Sequence, residues 1–114
     1  MENMMNSNVD QTILKVRGDK TFDGNRDQSR DYVKGLASAI MTVVNKHGHA
    51  KLKCVGNAAI GNAYKAFCIA QTECVKRGQD LVNRGSFGTA DFEGTEKTAI
   101  IMKIEFAVNT VTKQ

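Results

Sequence analysis

Residues 51–78, KLKCVGNAAIGNAYKAFCIAQTECVKRG, decide how the rest of the chain is placed. Their first five, Lys51-Leu52-Lys53-Cys54-Val55, alternate in polarity. Successive side chains of a strand point to opposite faces, so Leu52 and Cys54 share one face and Lys51, Lys53 and Val55 the other. Gly56 permits a sharp turn. Asn57 is a residue type that caps helices, because its side chain accepts a hydrogen bond from a first-turn N–H. From Ala58 the period lengthens: Ile60, Ala63, Phe67, Ala70 and Cys74 fall on one helical stripe, with Ala59, Ala66 and Ile69 beside it. Lys76 and Arg77 suit the negative end of the helix dipole, and Gly78 stands where a helix stops.

The flanking sequence extends this strand and helix in both directions. Upstream, residues 11–17 (QTILKVR) read as a strand with Leu14 and Val16 toward the core and Ile13, Lys15 and Arg17 away from it. A long polar loop covers residues 18–28, with Gly24-Asn25 as a turn. A helix capped by Asp27 or Ser29 follows. Val33, Leu36, Ala37, Ile40 and Val44 form its stripe, Tyr32, Met41 and Val43 flank it, and Lys46, His47 and Gly48 end it. Downstream, residues 80–83 form a short strand. Arg84-Gly85-Ser86-Phe87-Gly88 break it, and residues 89–93 resume it. Gly94-Thr95 is the expected turn. Residues 97–108 form the clearest strand, with Thr98, Ile100, Met102, Ile104 and Phe106 on one face and Lys97, Ala99, Ile101, Lys103 and Glu105 on the other. Two crossovers and a closing hairpin give an α/β two-layer sandwich in β-α-β-α-β-β order. Its mixed four-stranded sheet carries both helices on one face. One domain is expected over residues 11–108, between an N-terminal arm (1–10) and a C-terminal tail (109–114).

Composition sets the class. The chain has 114 residues, 41% of them apolar, which suits one globular domain. No run of about 18 apolar residues reads as a membrane span. The stretch MENMMNSNVD lacks the basic-then-apolar form of a secretory signal. Cys54, Cys68 and Cys74 are odd in number and lack CxxC spacing, so reduced thiols and a cytoplasmic or nuclear location are expected. The net charge of +4 is uneven. Residues 51–78 carry five Lys and Arg against one Glu, whereas the flanks are nearly balanced. An excess there permits an acidic partner.

Val55-Gly56-Asn57-Ala58-Ala59-Ile60-Gly61-Asn62-Ala63-Tyr64-Lys65-Ala66 with Ile69-Ala70 resembles the central signature of the stage V sporulation protein S family. Leu14-Lys15-Val16, Gly78 with Asp80-Leu81, and Gly94 with Glu96-Lys97-Thr98-Ala99-Ile100 resemble its outer blocks in the same order. The resemblance spans roughly residues 13–107. It implies an Alba-like fold, whose best-known members are small dimers that bind DNA or RNA. Two features depart from the family pattern. The loop after the first strand is long and lacks proline, with Asp19, Asp23 and Asp27 set against Lys20 and Arg26, and Gln71 stands where arginine is usual.

Three surfaces are candidates for a polyanion. The first is the pole where the first two strands end and the second helix begins. There the turn Gly56-Asn57 offers helix N–H groups, with Lys20 and Arg26 nearby and Asn62 expected to be exposed. The second is the sheet face away from the helices, with Lys15, Arg17, Lys51, Lys53, Lys97 and Lys103. The third is the hairpin, where Arg84 is the candidate. Together with Lys65 in the family block, these give a candidate nucleic-acid-binding set of Lys15, Arg17, Lys20, Arg26, Lys53, Gly56, Asn57, Lys65 and Arg84. The expected function is non-enzymatic binding of DNA or RNA through the phosphate backbone, as a homodimer and without a membrane partner. The alternative is a structural or adaptor subunit docking through the same fold into a larger protein assembly. His47 and His49 are too few for a metal site, Gly56 to Gly61 matches no nucleotide fingerprint, and no catalytic set assembles. No metal, cofactor or enzymatic activity is expected.

Overall fold

The structure is a computed structural model that describes residues 10–18 and 26–107. The elements are β1 (Ile13–Val16), α1 (Arg26–His47), β2 (His49–Cys54), α2 (Asn57–Lys76), β3 (Leu81–Phe92) and β4 (Thr95–Phe106). They form one sheet in the order β1-β2-β4-β3. β1 and β2 run parallel; β2 with β4, and β4 with β3, run antiparallel. This is the expected mixed four-stranded α/β sandwich, consistent with the Alba-like arrangement. No helix among the described residues is long and apolar enough to cross a membrane.

Register explains the single core. Ala50, Leu52 and Cys54 of β2 stand opposite Ile104, Met102 and Ile100 of β4, all on one face. Leu14 and Val16 continue that face in β1, opposite Leu52 and Cys54. Val33, Leu36, Ile40 and Val44 of α1 and Ala59, Ala63, Ala66, Phe67 and Ala70 of α2 close over it as one buried cluster. The small alanines let α2 lie close to the sheet. Cys74 Sγ meets Met41 Sδ at 3.6 Å where the helices touch. Burial pushes the Cys54 thiol up to about 11, because a thiolate there would lose its water.

Both helix starts depart from the expected capping. Gly56, not Asn57, is the N-cap of α2, and no side chain caps it. Its φ of 92° and ψ of 159° suit glycine alone, so the chain turns one residue earlier and Asn57 becomes the first helical residue. The carbonyl of Gly56 accepts from the Ile60 N–H at 3.1 Å. α1 begins at Arg26, which puts Asp27 and Ser29 inside its first turn rather than at a cap. The end of α2 follows expectation. Gly78 (φ 81°) sits past Arg77; its N–H reaches the Val75 carbonyl and the Gln79 N–H reaches that of Cys74. This paired Schellman motif satisfies carbonyls that the helix leaves open.

The hairpin differs most from expectation. β3 is unbroken for twelve residues and pairs along its whole length, from Leu81 opposite Phe106 to Phe92 opposite Thr95. Gly88 serves close packing instead of a break: a Cβ there would lie 2.8 Å from Ile101 Cγ1. The turn is Glu93-Gly94, not Gly94-Thr95, with φ of 55° and 81°. Two positive φ values in a two-residue loop match the twist of a β-hairpin. Gln71 ties α2 to the start of β3, its Nε2 donating to the Leu81 carbonyl at 2.9 Å.

Candidate functional site

β2 pairs with β4 only from Ile100 to Glu105. Beyond that point Gly88–Phe92 and Thr95–Ala99 continue as a two-stranded arm past the end of β2. The arm projects at the pole where α2 begins. Between its tip, the ends of β1 and β2 and the first turn of α2 lies a cleft of about 940 Å³. Lys15, Arg17, Lys53, Gly56 and Asn57 line it, with Asp91 and Glu93 from the arm. Five of the nine candidate residues therefore meet in one concavity.

The β1 wall of the cleft is fixed by two hydrogen bonds between distant parts of the chain. The Arg17 N–H donates to Tyr32 Oη of α1 at 2.8 Å. Asn62 Nδ2 of α2 donates to the Arg17 carbonyl at 3.0 Å. Asn62 is 9% exposed, so the expectation of an exposed asparagine at this pole is corrected: its amide completes the hydrogen bonding of a strand end. The Arg17 guanidinium lies 6.0 Å from the Tyr32 ring centroid. Gly18 then passes over the start of α2, where an added Cβ would touch Ala58 Cβ and Ala59 N at 3.4 Å. The chain leaves β1 held against the helix that opens the cleft.

Charge separates the cleft from the rest of the outer sheet face. On that face Lys51 pairs with Asp10 at 3.9 Å, Lys103 with Glu105 at 3.9 Å, and Arg84 with the same Glu105 at 3.8 Å. These neighbours offset each other's charge. Lys15 and Lys53, by contrast, make no ion pair among the described residues. They are direct partners in the β1–β2 ladder, so two like charges stand side by side at the cleft edge.

The other four candidates lie elsewhere. Arg84 sits on β3, ahead of the projecting arm, with its charge shared with Glu105. Lys65 is on the solvent face of α2, outside the cleft lining. Arg26 contributes the first residue of α1, and its side chain falls outside the described residues, as does Lys20 altogether.

A family model described as stage V sporulation protein S matches residues 28–107. The chain belongs to the stage V sporulation protein S family. The stage V sporulation protein S match takes in α1 from Gln28 onward, β2, α2 and the hairpin. Within the cleft it includes Lys53, Gly56, Asn57, Asp91 and Glu93, while Lys15, Arg17 and Gly18 lie before it. The motif at Val55–Ala66 that carried the sequence resemblance is the turn and first half of α2. Gln71, within the matched region, gives its side chain to the Leu81 carbonyl at the start of β3.

Proposed function

We propose that the protein is a non-enzymatic nucleic-acid-binding member of its family, taking the phosphate backbone of DNA or RNA at the cleft. The observation that carries the reading is the meeting of Lys15, Arg17 and Lys53 in one concavity beside the opening of α2. The lack of an ion pair on Lys15 and Lys53 among the described residues adds to it. Helix N-terminal N–H groups and lysine ammonium groups both favour phosphate oxygens. Among the described residues the lining holds no aromatic platform for stacked bases, which favours recognition by shape and charge. In this reading the protein works as a homodimer, as the Alba-like resemblance implies.

The test is a salt titration of binding to labelled single-stranded DNA, duplex DNA and RNA. Affinity falls steeply with salt as condensed counterions are released. The double variant Lys15→Glu, Lys53→Glu lowers it about tenfold or more for every sequence and flattens the log–log salt slope by about 1 per lysine removed. Binding that ignores both salt and these reversals removes the proposal.

One observation favours a second reading, an adaptor docking onto protein. Phe87 is 80% exposed on β3, and Tyr64 and Val75 on α2 are each more than half exposed. A complex from the native source that survives nuclease treatment and high salt supports this reading over the first.

A further inference from the structure

The cleft carries charge of both signs. Asp91 and Glu93 line it together with Lys15, Arg17 and Lys53, a formal charge of +1 among the described lining side chains. The acids are delivered there by the geometry of the arm. The ladder runs past the end of β2 and turns at Glu93-Gly94, which brings Asp91 and Glu93 into the same lining as the β1 and β2 lysines.

Glu93 is also the only residue other than glycine with positive φ among the described residues, at 55°. That conformation costs most residues roughly 1–2 kcal/mol, and a turn with two positive φ values favours Asn-Gly or Asp-Gly. A longer acidic side chain occupies the position and lines the cleft. Strain held at one residue beside a site is a reason to ask what that side chain does.

We infer that Asp91 and Glu93 are built-in competitors of the polyanion, holding down the affinity and salt sensitivity of the cleft. This rests on the nucleic-acid reading of the same cleft. On Lys15 and Lys53 the carboxylates act through their field, not by contact, since neither lysine is ion-paired among the described residues. Charges within a Debye length, about 8–10 Å at moderate salt, still feel one another. An arriving phosphate therefore meets a field already partly cancelled and releases fewer counterions. Moving the arm tip outward, or neutralising it with a partner's cation, would raise affinity without altering a single phosphate contact.

The experiment compares four full-length proteins: wild type, Glu93→Asn, the double variant Asp91→Asn, Glu93→Asn, and Glu73→Gln. Asparagine suits the first position of this turn, so the Glu93→Asn substitution leaves the hairpin folded or firmer. Glu73 is exposed in the C-terminal half of α2, about 24 Å along the helix from its first residue beside the cleft, so its loss changes net charge in the wrong place. Each is titrated with labelled single-stranded DNA and with inorganic polyphosphate, which has no bases. The expected result is a three- to tenfold gain at low salt for the double variant on both probes. Its log–log salt slope steepens by about 1–2, Glu93→Asn is intermediate, and Glu73→Gln stays near wild type. If wild type binds and the double variant shifts no more than Glu73→Gln, the inference is overturned while the nucleic-acid reading stands. If none of the four binds either probe, both fall together.

Discussion

The two ends of the β4 strand obey the same alternation and meet different fates. At one end Met102 and Ile104 are buried beneath α1 and α2. At the other, Thr98 and Glu96 stand on the same face and are exposed, because the arm has outrun the helices. The side-chain period is identical, and only the second layer is missing. The covered half therefore holds the fold together, while the uncovered half is free to carry charge to a site. Substitutions should divide along this line.

The largest expected effect is in the covered half. Ile104→Ala or Leu52→Ala, each at fully buried positions, should lower stability by about 2–5 kcal/mol in urea unfolding, through lost burial and the cavity left behind. Thr98→Ala, on the same face of β4 but past the helices, should stay within about 0.5 kcal/mol. Comparable losses at the two positions would break the comparison.

Next comes the seam between the halves. Gly88→Ala forces a methyl group into Ile101 and should destabilise by about 1–3 kcal/mol. Trimming the obstacle with Ile101→Val in the same chain should recover part of that loss, as a double-mutant cycle would show. Asn62→Ala should cost about 1–3 kcal/mol by leaving the Arg17 carbonyl without this donor. It should also weaken polyanion binding, since the β1 wall of the cleft loses its tie to α2.

The smallest effect is a pH dependence. Burial raises the folded Cys54 thiol from 9.0 to about 11. Below pH 9 both folded and unfolded chains keep the proton, and the stability this gives is complete. Between about pH 9 and 11 the unfolded chain loses the proton that the folded one retains, so stability falls as pH rises. The urea midpoint of wild type should drop between pH 8 and pH 10 by more than that of Cys54→Ala.

The covered half was legible because its signals are local. Leu52 and Cys54 alternate with lysines, and Ile60, Ala63, Phe67, Ala70 and Cys74 keep helical spacing, so strand, helix and buried face all follow from neighbours in sequence. The end of β3 was not legible, because Gly85 and Gly88 carry the composition of a break. Only pairing with β4, and the close approach of Ile101, shows that Gly88 belongs inside a strand. The site was half legible. Its pole followed from where the strands end, and Lys15, Arg17, Lys53, Gly56 and Asn57 converge there. The clamp by Tyr32 and Asn62 joins residues 15 and 45 positions apart, and no local pattern announces it. The same holds for Asp10 and Glu105, which offset Lys51, Lys103 and Arg84 and so distinguish the rest of the outer sheet face from the cleft.

That distinction gives the most direct test. Lys15→Glu, Lys53→Glu and Lys51→Glu, Lys103→Glu change the net charge equally, one pair in the cleft and the other on the ion-paired outer face. Binding of labelled DNA and RNA should weaken about tenfold or more for the first pair at moderate salt and only about two- to threefold for the second. Equal losses from the two pairs, or a greater loss from the outer pair, would contradict a binding site in the cleft.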